Sequence, residues 1–184
     1  MEKGNKRMTK EKRRKQILES ALNVFIEKGY NGSTTIDIAR EADISEVTLF
    51  RYFDSKKQIF VDAIEPILIT SLKQSLVEFK DSEPMRKLEL ILRERIKFIS
   101  EHSEVIKLIL MESQVNPEVA DIDFIKQITS ILKNTIKDAG INLEDEDFSI
   151  RLMMGSILSF LYMPKIKDNE IGAYVGKLVD IITK

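Results

Sequence analysis

Along nearly the whole chain, apolar residues recur every three to four positions, the period of an α-helix with one buried face. The first stretch, 10–28, puts Ile17, Leu18, Ala21, Leu22, Val24 and Phe25 on one stripe. Thr9 stands where an N-cap is needed, and Gly29 follows the last turn, where helices commonly end in a left-handed residue. Tyr30-Asn31-Gly32 predicts a turn. Thr34 and Asp37 have capping-box spacing, opening a short helix with Ile38, Ala39 and Ala42 on its apolar side. Asp43-Ile44 predicts a second turn, and Ser45 a cap for a second short helix anchored by Leu49 and Phe53. Ser55 and Gln58 form another capping pair, opening a helix from about 56 that carries Ile59, Phe60 and Ala63. Pro66 predicts a kink or break, because it removes a backbone donor and clashes with the carbonyl of Asp62.

Helical stripes continue over about 67–79, 84–101, 104–113, 121–139, 145–163 and 169–183. The breaks fall at Asp81–Pro84, His102-Ser103, Asn116-Pro117, Gly140 and Pro164. No strand-like alternation of useful length and no repeat of fixed period is evident. The fold class is therefore all-α. Two short helices joined by a tight turn, as in 34–53, form a helix-turn-helix, a shape that lays one helix in the DNA major groove. The expected domains are 1–57, an N-terminal arm with the helix-turn-helix, and 58–184, a second helical domain. The helix from about 56 bridges the two.

Charge sharpens this picture. The whole chain is nearly neutral, with 29 Lys and Arg against 30 Asp and Glu. Residues 1–60, however, hold 13 basic and 9 acidic side chains, and the first 15 alone hold 8 basic and 2 acidic. A basic end on an acidic body, placed just before a helix-turn-helix, points to a polyanion. With no Cys and one His, His102, disulfides, thiolate metal sites and His-rich metal centres are excluded. Neither a cofactor nor a resident metal is expected. His102 falls at a helix break and reads as a surface or capping residue. The most apolar run, Leu152–Met163, is interrupted by Gly155, Ser156 and Ser159 and is shorter than the ~20 residues a bilayer demands. With no signal peptide visible, the expectation is a soluble, cytoplasmic protein with no membrane partner.

The run RRKQILESALNVFIEKGYNGSTTIDIAREADISEVTLFRYFDSKKQIF, residues 13–60, resembles the TetR family of bacterial transcriptional regulators. The resemblance lies in the EKGY-type turn, the TT-x-x-x-IA helix, the TLFRYF recognition helix and the S-K-K opening of the next helix. It covers about a quarter of the chain. It implies a three-helix DNA-binding domain, a helical ligand-binding and dimerisation domain, and a homodimer on a palindromic operator in double-stranded DNA. Two positions depart from the pattern: Asp43 stands where Gly is usual, and Phe50 where Tyr is common. Asp tolerates the left-handed conformation, so the turn is expected to form.

With Leu49 and Phe53 inward, the opposite side of the second short helix carries Val47, Thr48 and Arg51, flanked by Phe50 and Tyr52. Thr48 and Arg51 can donate to base edges or phosphates, Val47 offers an apolar contact, and the Tyr52 hydroxyl suits a phosphate. The resemblance maps DNA contacts onto Thr35, Val47, Thr48, Phe50, Tyr52 and Lys56, and Thr34 joins this set. Lys56 and Lys57 occupy the first turn of a helix, where the macrodipole disfavours cations, a placement that makes sense beside a phosphate. Lys10, Arg13 and Arg14 can add contacts from the N-terminal arm.

In the second domain, Arg95 falls inside the apolar stripe Leu88, Ile91, Leu92, Ile96 and Ile99, so it needs a carboxylate or an anionic ligand. Arg95, Phe98, Met111, Phe124, Met153 and Met154 are the candidate lining of a site for a small apolar or amphipathic effector; core packing is the competing reading. Segment 145–163 is apolar on more than one side, which suits both a core and a subunit interface. The resemblance places the dimer in the last two helices, with Ile157, Phe160, Leu161, Gly172, Val175, Gly176 and Val179 as candidate interface residues; the alternative is that these helices complete a monomer core. The leading function is a repressor released from its operator by an effector. The alternative is a structural or coactivator protein of the same fold with no effector. An enzyme is disfavoured, since no nucleophile motif or Gly-rich phosphate loop is present.

Overall fold

Helix α1, Lys10–Gly32, forms where the first stripe predicts it, with the Thr9 hydroxyl accepting from the Lys12 amide. Ile17, Ala21, Val24 and Phe25 are buried along it. The helix is interrupted at Gly29, which has φ 72°, a left-handed value that suits glycine. The computed structural model describes residues 9–120, 122–138, 140–141, 143–163 and 167–183. The other elements are α2 (Thr35–Glu41), α3 (Glu46–Leu49), α4 (Lys56–Glu65), a π-helical segment (Pro66–Thr70), α5 (Ser71–Glu78), α6 (Pro84–Glu101), α7 (Ser103–Val115), α8 (Pro117–Ala120), α9 (Phe124–Asp138), α10 (Glu146–Ser159) and α11 (Asp168–Ile182). Among the described residues there is no strand, and no helix is long and apolar enough to cross a membrane.

The chain divides into two compact units, one reaching to Pro66 and including Leu108–Ile122, the other made of Ile67–Lys107 and residues from Asp123 onward. In the first unit α2 and α4 pack on α1, and α3 packs on α2. Phe25, Tyr30 and Phe60 form an aromatic cluster with ring centroids 5.0–5.9 Å apart. Arg14 donates to Asp62 at 2.5 Å and stacks over the Phe53 ring at 4.9 Å, tying α1 to α4. These contacts set α4 in the first unit, so the division falls after Pro66 rather than after residue 57. The second half of α7 and α8 join the same unit, a return of the chain that local periodicity does not encode.

Pro66 does not simply end the helical path. With φ −59° and ψ −36° it keeps helical geometry, and the missing donor is absorbed by a wider turn over Pro66–Thr70. Regular α-helix resumes only at Ser71.

The second unit has its own core. Leu88, Ile91, Leu92 and Ile96 of α6 pack with Leu132 and Ile136 of α9, Ile150, Met153 and Ile157 of α10, and Ile171, Val175, Leu178, Val179 and Ile182 of α11. This corrects part of the expected dimer face. Ile157, Leu161, Val175 and Val179 are all buried within the subunit; α10 turns Ile150, Met153 and Ile157 inward, and Leu161 follows just past its end. Phe160 also packs inside, edge-on to Tyr174 at 5.3 Å. Gly172 lies 3.7 Å, measured from an added Cβ, from the Arg93 guanidinium of the same subunit.

Candidate nucleic-acid interface

The geometry of the reader begins with its caps. Thr34 accepts from the Asp37 amide at 3.0 Å, and the Asp37 carboxylate returns a bond to the Thr34 amide at 3.1 Å, completing the capping box. The Thr34 hydroxyl also donates to Asp37 at 2.7 Å, so this side chain serves the cap rather than a free DNA-facing donor. Lys28, by hydrogen bonding, and then Thr34 hold the Asp37 carboxyl down at about 2. Asp43 has φ 52°, so it supplies the left-handed turn residue between the two helices. Ser45 accepts from the Thr48 amide at 3.2 Å and shares a 2.9 Å hydroxyl contact with Thr48.

Leu49 and Phe53 are buried. That fixes the opposite side of α3 outward. Val47 is 68% exposed and Phe50 48%, which removes core packing as the role of Phe50. Arg51 is exposed as well, while Thr48 and Tyr52 are half-buried. Apolar side chains held out to water on a four-residue helix and at its C-cap, next to a basic one, suit a groove floor of base edges and thymine methyls. Glu46, which nothing in the pattern of apolar positions singles out, also belongs here: its carboxylate accepts from the Thr35 hydroxyl at 2.5 Å. It lies on the wall of an open groove of about 470 Å3 that also includes Ile36, Arg40 and Ile44.

Residues 17–63 match the family of bacterial regulatory proteins, tetR family. The chain carries a TetR-family DNA-binding domain. The biofilm operon negative transcriptional regulator IcaR of Staphylococcus aureus is 40% identical over 50 residues, 27% of each chain; the aligned stretch thus spans about a quarter of that relative's length. A Clostridium perfringens protein described as a fatty acid metabolism regulator is 26% identical, with a TM-score of 0.70 over 90% of this chain and 97% of that one. The regulator FadR of Bacillus subtilis, solved with stearoyl-CoA, is 19% identical with a TM-score of 0.71, covering 92% and 97% of the two chains. The TetR-type fold therefore extends well beyond the matched domain.

Within this TetR-family domain, Lys56 is not a free phosphate anchor. Its ammonium donates to the carbonyls of Tyr30 at 2.8 Å and Ser33 at 3.0 Å and sits 4.3 Å from the centre of the Tyr30 ring. It joins the Ser33 hydroxyl, which donates to the Tyr30 carbonyl at 2.7 Å, in satisfying the carbonyls at the end of α1, and this accounts for a cation in the first turn of α4. Lys57 is half-buried beside it. In the arm, Lys10 is exposed, Arg13 donates to Gln16 at 2.9 Å, and Arg14 is held by Asp62.

The turn after α1 is pinned from the other side by carboxylates that periodicity could not announce. Buried Glu112 accepts from the Tyr30 amide at 2.8 Å, and Glu118 accepts from the Tyr30 hydroxyl at 2.8 Å. Asn116 donates to the Asn31 side chain at 2.9 Å. Burial, then the bond to Glu118, push the Tyr30 hydroxyl well above its ordinary pKa.

Five of the six candidate effector residues lie in the second unit and Met111 lies in the first. Arg95 is satisfied internally, by Glu94 at 2.5 Å, Ser71 at 3.1 Å and Ser75 at 3.3 Å, and lies over the Phe98 ring at 4.6 Å. Phe98 in turn stacks on His102 at 4.1 Å, and His102 bonds the Phe98 carbonyl at the end of α6. Phe124 and Met153 are buried, with Met154 packed against the core of the second unit. Met111 is 59% exposed and belongs to the first unit.

Proposed function

We propose that this chain is a DNA-binding transcriptional regulator, a repressor that grips a palindromic operator as a homodimer and lets go when a small amphipathic effector binds its second unit. The observation that carries the DNA-binding part is the outward face of α3. Val47, Phe50 and Arg51 are held in solvent by the burial of Leu49 and Phe53, an arrangement that serves a groove better than a core. The negative regulator IcaR supports repression. FadR with stearoyl-CoA supports an acyl thioester as the effector, and the C. perfringens regulator supports a link to fatty acid metabolism. Such a ligand shifts an equilibrium between two conformations only by its difference in affinity for them. The π segment at Pro66–Thr70, where the chain leaves the first unit, is the pivot in this reading.

The test is operator selection from random duplexes followed by binding titrations with and without stearoyl-CoA. A palindrome with half-sites about 34 Å apart, released by the thioester, is the expected result. Arg51→Ala is expected to weaken binding and flatten its salt dependence by about one unit of slope if Arg51 meets a phosphate. Operator binding indifferent to acyl thioesters would remove the effector class and favour the reading of a regulator without a small ligand. No selected duplex at all would remove DNA binding itself.

A further inference from the structure

Glu46 is an anomaly in a surface meant for a polyanion. It is the first residue of α3, on the side of the reader that faces DNA if the proposed function holds, and this inference rests on that reading. A carboxylate there is repelled by phosphates and by every acceptor on the groove floor. Guanine presents O6 and N7, thymine presents O4, and adenine sets N7 beside its N6 donor, so a carboxylate meets an acceptor at each of the three. Cytosine presents only the N4 amino group to an incoming acceptor. We propose that Glu46 reads a cytosine, through its N4 amino group, at one position of each operator half-site.

The geometry prepares the side chain for this. The Thr35 hydroxyl donates to one carboxylate oxygen, Oε1, at 2.5 Å, fixing the rotamer of a flexible side chain. No second protein partner occupies this carboxylate among the described residues, so its remaining acceptor capacity points to a donor from outside. Arg40, on the same groove wall, pairs with Asp37 at 3.6 Å rather than with Glu46. Thr35 therefore acts as a positioning residue: its only hydroxyl proton is spent on Glu46 and is not offered to DNA. The competing role for Glu46 is purely structural, an acid in a first helical turn that ties α3 to α2.

The experiment is selection of random duplex DNA by the full chain and by Glu46→Gln, Glu46→Ala, Thr35→Val and Thr35→Ser, with thermal melting of each variant to establish folding. The expected wild-type operator has a cytosine at one position per half-site, preferred over other bases by roughly tenfold or more. Glu46→Gln is expected to move that preference toward adenine, whose N6 and N7 a carboxamide matches. Glu46→Ala and Thr35→Val are expected to flatten the same position alone, and Thr35→Ser to keep it. If folded Glu46→Gln and Glu46→Ala select the wild-type base at every position, the cytosine assignment is overturned while DNA binding stands. A uniform loss of affinity with unchanged base preference overturns it too, in favour of the structural tie. If the wild-type chain enriches no operator, the regulator reading fails and this assignment with it.

Discussion

Glu112 shows how much one side chain can fix. It is 5% exposed, one oxygen accepts from the Tyr30 amide, and the other, Oε2, is buried with no hydrogen-bond partner among the described residues. A buried polar atom left unpaired costs about 1–3 kcal/mol, so this acid is retained against a penalty. Its position also explains Gly29: a Cβ there would lie 2.9 Å from Glu112 Oε1, on top of the strain of φ 72°. Two outcomes follow. Glu112→Ala leaves the Tyr30 amide buried and unpaired, and should lower unfolding free energy in urea by about 1–3 kcal/mol. Glu112→Gln keeps an acceptor for that amide and should lose much less. Equal losses for both would mean the Tyr30 bond contributes nothing. None of this was legible beforehand, because residues 30 and 112 are linked only by the fold, whereas Gly29 as a helix stop was plain from its place after the stripe.

At the scale of elements, the helices were legible to within a few residues wherever a cap or a breaker marked an end. Thr34, Ser45 and Ser55 all accept from the amide three residues on, as their spacing requires. Asp43 takes the turn that a glycine usually holds. Legibility failed at Pro66, where a break was one expectation and a π segment was built instead. A proline announces a missing donor but not how neighbouring carbonyls are re-satisfied. It failed again at Lys56, whose partners are carbonyls from a different helix. The α2 cap carries a pH signature. Asp37 is held near 2, below the ordinary carboxylate value of 3.8, so the folded state favours its charged form. That contribution is fully present above about pH 4 and is lost as pH falls toward 2. Asp37→Asn should therefore melt at a lower temperature than wild type at pH 7, with the gap narrowing as pH drops through that window. A gap constant from pH 7 to pH 2.5 would show that the Lys28 and Thr34 contacts do not favour the ionised carboxylate.

At the scale of the whole molecule, the homodimer proposed above needs a surface through which two copies pair. Apolar periodicity marked α10 and α11 as having more apolar surface than one core needs, but a period cannot say which side faces inward. Four of the seven residues expected at a partner, Ile157, Leu161, Val175 and Val179, fill the subunit's own core. What remains outside is Gly176, from that first set, together with residues it did not include: Phe148, Tyr162 and Ile181 are exposed apolar side chains, and Gly155, like Gly176, has nothing within 4 Å of an added Cβ. Glycine inside a helix costs about 1 kcal/mol against alanine, and within one subunit that cost has no return at Gly155. Close approach of a second copy would supply one. Gly155→Leu separates the possibilities. In the isolated subunit the new side chain meets open space and removes the glycine penalty, so the melting temperature of a monomer should hold or rise. Against a closely packed partner helix the same side chain collides. Sedimentation velocity should then show a dimer for wild type and a monomer for Gly155→Leu, with operator affinity falling because one reader can hold only one half-site. Ile157→Ala is the contrast: a core truncation costing about 2–5 kcal/mol that loosens the fold first. A Gly155→Leu chain that remained dimeric would place the pairing surface away from the outer side of α10.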